Sequence, residues 1–272
     1  MHPLPLDDTG IELASKGQAS YKIHRGVNWF ERHWLLIFNA FWGLFVILPW
    51  FAPLFMQLGW IFPGRALYFI YGFFCHQLPE RSWFLFGPKV SYSQAEIGLV
   101  WDISNELVRR QFIGLPEMGW KVAWSDRMVA MYMSIFVLGV VYALLRWQGV
   151  RPKGIRWGLF LLLIAPLAID GATHLINDAL RLDFRDANGW AVALTNNALP
   201  ASFYAGDALG SLNAILRIVT GIIFGFGVVW FLWPMMEKEF GRQAAYRTAL
   251  DALALADEVV RAPQDEAAQT EQ

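Results

Sequence analysis

A bundle of membrane-spanning helices is the fold class this sequence predicts, and three observations predict it. Hydrophobic residues make up 56% of the 272 positions and charged ones only 17%, against about one quarter charged in an average soluble domain. Four long stretches hold no charge or a single one. Aromatic residues, 14 Trp among them, stand near the ends of those stretches, where interfacial anchors belong. The composition argues against a soluble enzyme or a disordered chain. With 22 basic against 23 acidic residues, no cationic field exists to attract a nucleic acid. The single cysteine excludes an intrachain disulfide and a thiolate zinc finger.

Residues 1–34 are polar and form the expected cytoplasmic N-terminal segment, with Lys22, Arg25 and Arg32. They show no signal-peptide pattern, so the first span is the expected insertion signal. The membrane domain is expected over 35–236. Its first span lies in the uncharged run Leu35–Gly64, flanked by Trp34 and Trp60 and longer than the roughly 20 residues a crossing needs. Ala66–Cys75 is apolar but too short, and predicts one partial or re-entrant helix. After Gly87, Ser93 and Glu96 fit a capping box. Ile97, Val100, Trp101, Leu107, Val108 and Phe112 then follow at roughly helical spacing, closed by Gly114 and Pro116. That pattern predicts an amphipathic helix on the outer face.

Met128–Leu145 is the second long run, and the third starts at Trp157 and meets Asp170. The fourth, Ala208–Met236, holds Arg217 as its one charge. The expected fold is therefore all-α, with four full spans and one partial one. A cytoplasmic helix over 237–262, with Leu250, Leu253, Ala254 and Val260 as a stripe, and a polar, disordered tail over 263–272 complete it.

Lys and Arg in short loops set orientation. Arg146, Arg151, Lys153 and Arg156 crowd one loop with no acid among them, which places it in the cytoplasm. The segment Leu175–Asn213 carries Arg181 and Arg185 against Asp178, Asp183, Asp186 and Asp207, and belongs outside. The C-terminus then lies inside a cytoplasmic, or inner, membrane.

Polar groups near lipid are costly unless they are paired or functional. The first set is Cys75, His76, Gln77, Glu80, Arg81 and Ser82; either it ends a helix by satisfying itself, or it binds something. The second is Asp170 with Thr173 and His174. Asp170 and His174 stand four apart on one helix face, able to orient a general base, supply two metal ligands or cap the helix. The third is Asn213, Arg217 and Thr220, with Gly221 and Gly225 as a close-packing face. Asp170 and Arg217 lie at similar depth with opposite charge, which predicts that they stand within salt-bridge or one-water reach. The fourth is Ser125-Asp126-Arg127, just before the second long run. Charge topology sends all four sets to the outer face, with His76 expected at the floor of a shared pocket and His174 at its mouth.

Cys75-His76-Gln77, Glu80-Arg81-Ser82 and Gly87, followed by Asp170-Gly171-x-Thr173 and Ser211-x-Asn213-x-x-x-Arg217-x-x-Thr220-Gly221, resemble the signatures of domain of unknown function 2085. That is a family of predicted integral membrane proteins, and the resemblance covers about Ala66–Pro234. The family's Cys-x-Arg-Cys motif is replaced here by Ser125-Asp126-Arg127-Met128, which weakens thiol-pair redox chemistry or a multi-cysteine metal site. The resemblance implies a membrane location and no particular activity or cofactor. The residues themselves point to an outward pocket for an anionic head group, a small polar ligand or a metal held by Cys75, His76, Asp170 and His174. The rival reading is a non-enzymatic accessory or scaffold subunit of a larger membrane complex, a partner beyond the lipid bilayer itself.

Overall fold

The computed structural model describes residues 8–180 and 182–270. The chain is 66% helix and 6% strand. Among the described residues, four helical stretches are long and apolar enough to cross a membrane: His33–Gln57, Asp126–Trp147, Trp157–Leu180 and Leu212–Leu250. They coincide with the four long apolar runs. Two compact units share the chain. One comprises residues 1–38 and 234–272, where Phe240 packs its ring against Phe30 and Trp34. The other comprises residues 39–233 and holds the candidate site.

Helix α1 (Asp8–Gln57) ends in a turn at Gly59, whose φ of +77° suits a residue without a side chain. Helix α2 (Ile61–Tyr71) follows. Its 11 residues span about 16 Å at 1.5 Å per residue, half of a ~30 Å hydrocarbon layer. This is the partial helix. The chain then takes a 3₁₀ turn at Pro79–Arg81 and enters strand β1 (Ser82–Leu85).

The segment after Gly87 departs from a single amphipathic helix. It forms two short helices, α3 (Gln94–Gly98) and α4 (Glu106–Arg109), then strands β2 (Gly114–Leu115) and β3 (Gly119–Ser125). The capping box is present at Ser93 and Glu96. Gly114 and Pro116, however, do not close a helix: they open the β2–β3 hairpin. Gly114 sits at φ +119°, and a Cβ on Gly119 would lie 2.3 Å from the Leu85 carbonyl. The sheet has the order β1-β3-β2 and is antiparallel, with Ser82 opposite Ser125 and Phe84 opposite Lys121. Its apolar residues fill two cores. Val122, Ala123 and Trp124 pack with Ala52, Met56, Tyr68 and Tyr71. Phe84 packs with Tyr92, Ile97 and Phe112.

Helix α5 (Asp126–Trp147) leaves β3 directly. It runs antiparallel to α1, since Trp42 Nε1 donates to the Tyr132 carbonyl at 3.1 Å and Asn39 Nδ2 to that of Gly139 at 3.2 Å. Helix α6 (Trp157–Leu180) returns, and short helices α7 (Gly189–Leu194) and α8 (Ala201–Tyr204) lead to α9 (Leu212–Thr270). Helix α9 lies parallel to α5 at small residues: a Cβ on Gly221 would meet Ala130 Cβ at 3.0 Å, and one on Gly225 would meet Ser134 Oγ at 1.9 Å. Parallel α5 and α9 put their first turns side by side, which decides the charge pairing below. Helix α9 is continuous to Thr270, through the residues whose composition predicts a disordered tail. Residues 1–7, Arg181 and 271–272, and the side chains of Leu253, Ala254 and Val260, lie outside the described residues.

Candidate functional site

Three of the long helices bring charged residues to one end of the bundle. Asp126 is the first residue of α5, where the unpaired N–H groups of a helix start favour an anion; its carboxylate accepts the Arg127 N–H at 2.7 Å. Arg217, in the second turn of the parallel helix α9, places its Nε 2.8 Å and its Nη2 2.8 Å from that same carboxylate. This two-pronged geometry is the strongest form of guanidinium–carboxylate contact. Arg217 Nη1 also reaches Asp207, at 2.6 Å, and Asp207 accepts from Arg81 Nε at 2.8 Å. Arg81 extends further, to Asp178 at 3.5 Å.

Asp170, just past the middle of α6, takes Arg127 at 2.7 Å on one oxygen and Arg185 at 2.5 Å on the other. The motif Asp170-Gly171 has a direct steric meaning here. A Cβ at Gly171 would stand 3.3 Å from Arg127 Nη1, so the glycine leaves room for the guanidinium that pairs with its neighbour. Thr173 donates back to the Asp170 carbonyl at 3.0 Å. His174 Nε2 lies 2.8 Å from Arg185 Nη2 and 3.9 Å from Asp170.

Asp170 and Arg217 form no direct ion pair. The two residues do share one end of the bundle, but each faces other partners: Arg127 and Arg185 for Asp170, Asp126 and Asp207 for Arg217. Arg81, Arg127, Arg185 and Arg217 thereby meet Asp126, Asp170, Asp178 and Asp207 in alternation. Burial by itself would raise the Asp207 carboxyl, but Arg81 and Arg217 outweigh it and hold Asp207 below the usual carboxylate range.

A cavity of about 370 Å³ opens on this lattice. Arg81, Arg127 and Arg217 line it together with Cys75, His76, Gln77 and His174, and the acids on its wall are Glu106 and Asp178. The two histidines exchange the positions expected of them. His76 is exposed, because the chain turns outward between buried Cys75 and buried Gln77, whereas His174 is only 4% exposed. Among the described residues no group of three or more His, Cys, Asp or Glu is placed to hold a metal. Cys75 Sγ lies 3.4 Å from Ser125 Oγ, Asp170 faces two guanidiniums, and His76 is exposed whereas the other three are buried. These four residues therefore do not fit a shared ion.

The remaining candidates, apart from Gln77 on the cavity wall, are not among the residues that line it. Glu80, 2% exposed, pairs with Arg109 at 3.0 Å; burial pushes its carboxyl up, with Arg109 opposing. Ser82 donates to the Leu78 carbonyl at 2.8 Å. Asn213 donates to the Arg185 and Gly206 carbonyls at 2.7 and 3.1 Å, tying the α6–α9 connection to α9. Thr220 bonds back to the Leu216 carbonyl at 2.7 Å. Gln77 carries a positive φ of 54°, a conformation that costs a non-glycine residue of order 1–3 kcal/mol. Three bonds hold it there: its side chain to the Tyr68 carbonyl at 2.9 Å, its N–H to Cys75 Sγ at 3.3 Å, and its carbonyl to Lys121 Nζ at 2.6 Å.

Lys121 was not among the candidates. It is fully buried on β3 and donates also to the Arg110 carbonyl at 2.8 Å. Burial lowers its ammonium to about 7. A lone Lys inside an otherwise apolar stretch, Trp120–Trp124, is the sequence signal that marks it.

Residues 115–231 match the family model described as "Predicted membrane protein (DUF2085)". The DUF2085 match takes in Arg127, Asp170, Thr173, His174, Asn213, Arg217 and Thr220, while Cys75–Ser82 precede it. An uncharacterized protein of Methanocaldococcus jannaschii is 25% identical over 219 residues, covering 77% of this chain and 99% of that protein. No solved structure matches. The chain is a multi-pass membrane protein by its four apolar helices and its DUF2085 match.

Proposed function

We propose that this chain lies in the cytoplasmic membrane with its charged end outward, and that the cavity there binds an anionic group such as a phosphate. The orientation rests on the α5–α6 loop, where Arg146, Arg151, Lys153 and Arg156 stand without an acid. The C-terminal helix is then cytoplasmic, and the ends Gln57, Asp126, Leu180 and Leu212 are external.

The observation that carries the binding reading is the placing of three guanidiniums, Arg81, Arg127 and Arg217, on one 370 Å³ cavity. Planar guanidiniums on a partly dry wall recognise phosphate or carboxylate oxygens through paired N–H donors. Arg127 Nε is buried without a hydrogen-bond partner among the described residues, so the lattice leaves donor capacity unused beside the cavity. Exposed His76 at the rim adds a further donor.

Titration of the full-length protein in detergent with inorganic phosphate tests this reading. Arg127→Gln should weaken binding by about ten-fold, the scale of one charge-assisted contact. The fold should survive, because Asp170 keeps Arg185 as its partner. Undiminished phosphate binding in Arg127→Gln, or none in the parent protein, would refute it.

A further inference from the structure

A second groove, distinct from the arginine-lined cavity, runs along one face of α2. Ile61, Arg65 and Phe69 recur every four residues on that face, and Phe73 continues the line. Trp101, Arg110 and Trp120 form the opposite wall. The enclosed volume is about 880 Å³, toward the upper end of the roughly 300–1,000 Å³ of ligand pockets. Met56, from the last turn of the first span, lines the same groove, so the groove sits at the level where that span ends. This is the depth of lipid head groups, and tryptophans are the side chains enriched there.

The two cavities differ in how their charges are met. Asp178 and Glu106 share the wall of the first with its arginines. The second groove is lined by Arg65 and Arg110 with no acidic residue. Arg110 is fixed by donating from Nη2 to the Gly72 carbonyl at 3.2 Å, and Arg65 is exposed and has no ion pair or hydrogen bond among the described residues. Beside these guanidiniums, Phe69 and Phe73 stack edge to face at 5.1 Å and stand 69% and 75% exposed. Two uncompensated cations against an apolar wall at the membrane boundary match one chemistry, an anion that carries a hydrocarbon chain. A zwitterionic lipid fits less well, because its ammonium would be brought toward the same guanidiniums.

We propose that this groove holds one anionic phospholipid, its phosphate between Arg65 and Arg110 and its acyl chain along Phe69 and Phe73. Native mass spectrometry of the full chain in detergent, titrated with phosphatidylglycerol and separately with phosphatidylcholine, tests it. One phosphatidylglycerol should bind saturably per chain, with phosphatidylcholine about ten-fold weaker. Arg65→Gln is the informative variant, since Arg65 supports no other residue; it should weaken phosphatidylglycerol about ten-fold and leave the melting temperature unchanged. Equal uptake of the two lipids, or unchanged binding in Arg65→Gln, would overturn the proposal. So would loss of phosphatidylglycerol in Arg127→Gln with Arg65→Gln unaffected, which would move the lipid to the other cavity.

Discussion

Around Arg217 the buried charges touch their opposites, whereas Lys121, five residues before Asp126, donates among the described residues only to the carbonyl oxygens of Gln77 and Arg110. Both side chains are almost fully removed from solvent, at 1% and 0% exposure. The chemistry of the two cations explains the division. A guanidinium stays charged at any accessible pH, so burying it requires carboxylates, and its fork can join two of them. An ammonium can release its proton, and two carbonyl acceptors suffice for an amine that is neutral part of the time. The lattice is therefore a pairing solution, and the strand a titrating one.

The largest test of the comparison is removal of Arg217. Asp126 has no other ion-pair partner among the described residues, whereas Asp207 keeps Arg81. Breaking one side of a buried pair typically costs about 3–5 kcal/mol. Arg217→Leu should thus lower folded yield and melting temperature in detergent far more than Arg127→Gln, which leaves Asp170 with Arg185, or Arg81→Gln, which leaves Asp207 with Arg217 and frees only the partly exposed Asp178. Adding Asp126→Leu should restore part of the loss, because the stranded carboxylate goes with it. Equal melting temperatures for Arg217→Leu and Arg127→Gln would show that the alternation of charges does not distribute stability as the contacts imply.

Lys121→Met sharpens the other half of the comparison through pH. The folded-state value of Lys121 is about 7, below its ordinary 10.5, so between these limits the unfolded chain binds more protons than the folded one. Stability must then rise with pH across that window, by up to about 1.4 kcal/mol per pH unit for one proton. Below about 7 both states are protonated and the penalty for the buried ammonium is fully present. Chemical denaturation from pH 7 to 10 should show this rise in the parent protein and a flatter profile in Lys121→Met. A rise that persists in the variant would assign the proton elsewhere.

The spans were legible because an uncharged run of twenty residues is a one-dimensional signal. The charge pairing was not, and Asp170 and Arg217 show why. Sequence fixes how deep each residue lies along its helix, and both do reach the same end. It does not fix the azimuth, and parallel packing at Gly221 and Gly225 turned Arg217 toward the start of α5 instead. Arg185 and Asp207 sit in an irregular connection, where nothing local announces that they fold back onto α6 and α9. The sheet was missed for a related reason. Strands of two to seven residues have too few alternations to outweigh a capping box followed by apolar residues at helical spacing. The glycines at 114 and 119 serve a hairpin as readily as a helix end.

The smallest expected effect concerns a charge pair that neither pairing nor titration need protect. Lys89 and Glu96 form an ion pair with side chains 56% and 37% exposed, and water screens such a contact. The same Glu96 carboxylate accepts the Ser93 N–H at 2.8 Å while Ser93 Oγ accepts the Glu96 N–H at 3.3 Å, closing the start of α3. The hydrogen bond from Lys89, followed by that from the Ser93 backbone, holds Glu96 at about 2, so whatever it contributes is present at neutral pH and lost only as pH falls toward that value. If burial is what gives charges their weight here, Lys89→Ala should leave the melting temperature within replicate scatter. Ser93→Ala, which removes one half of the cap, should cost about 1 kcal/mol. The reverse order would mean that an exposed ion pair outweighs a backbone cap, and the contrast between solvent-screened and buried charge drawn from Arg217 would fail at its weakest point.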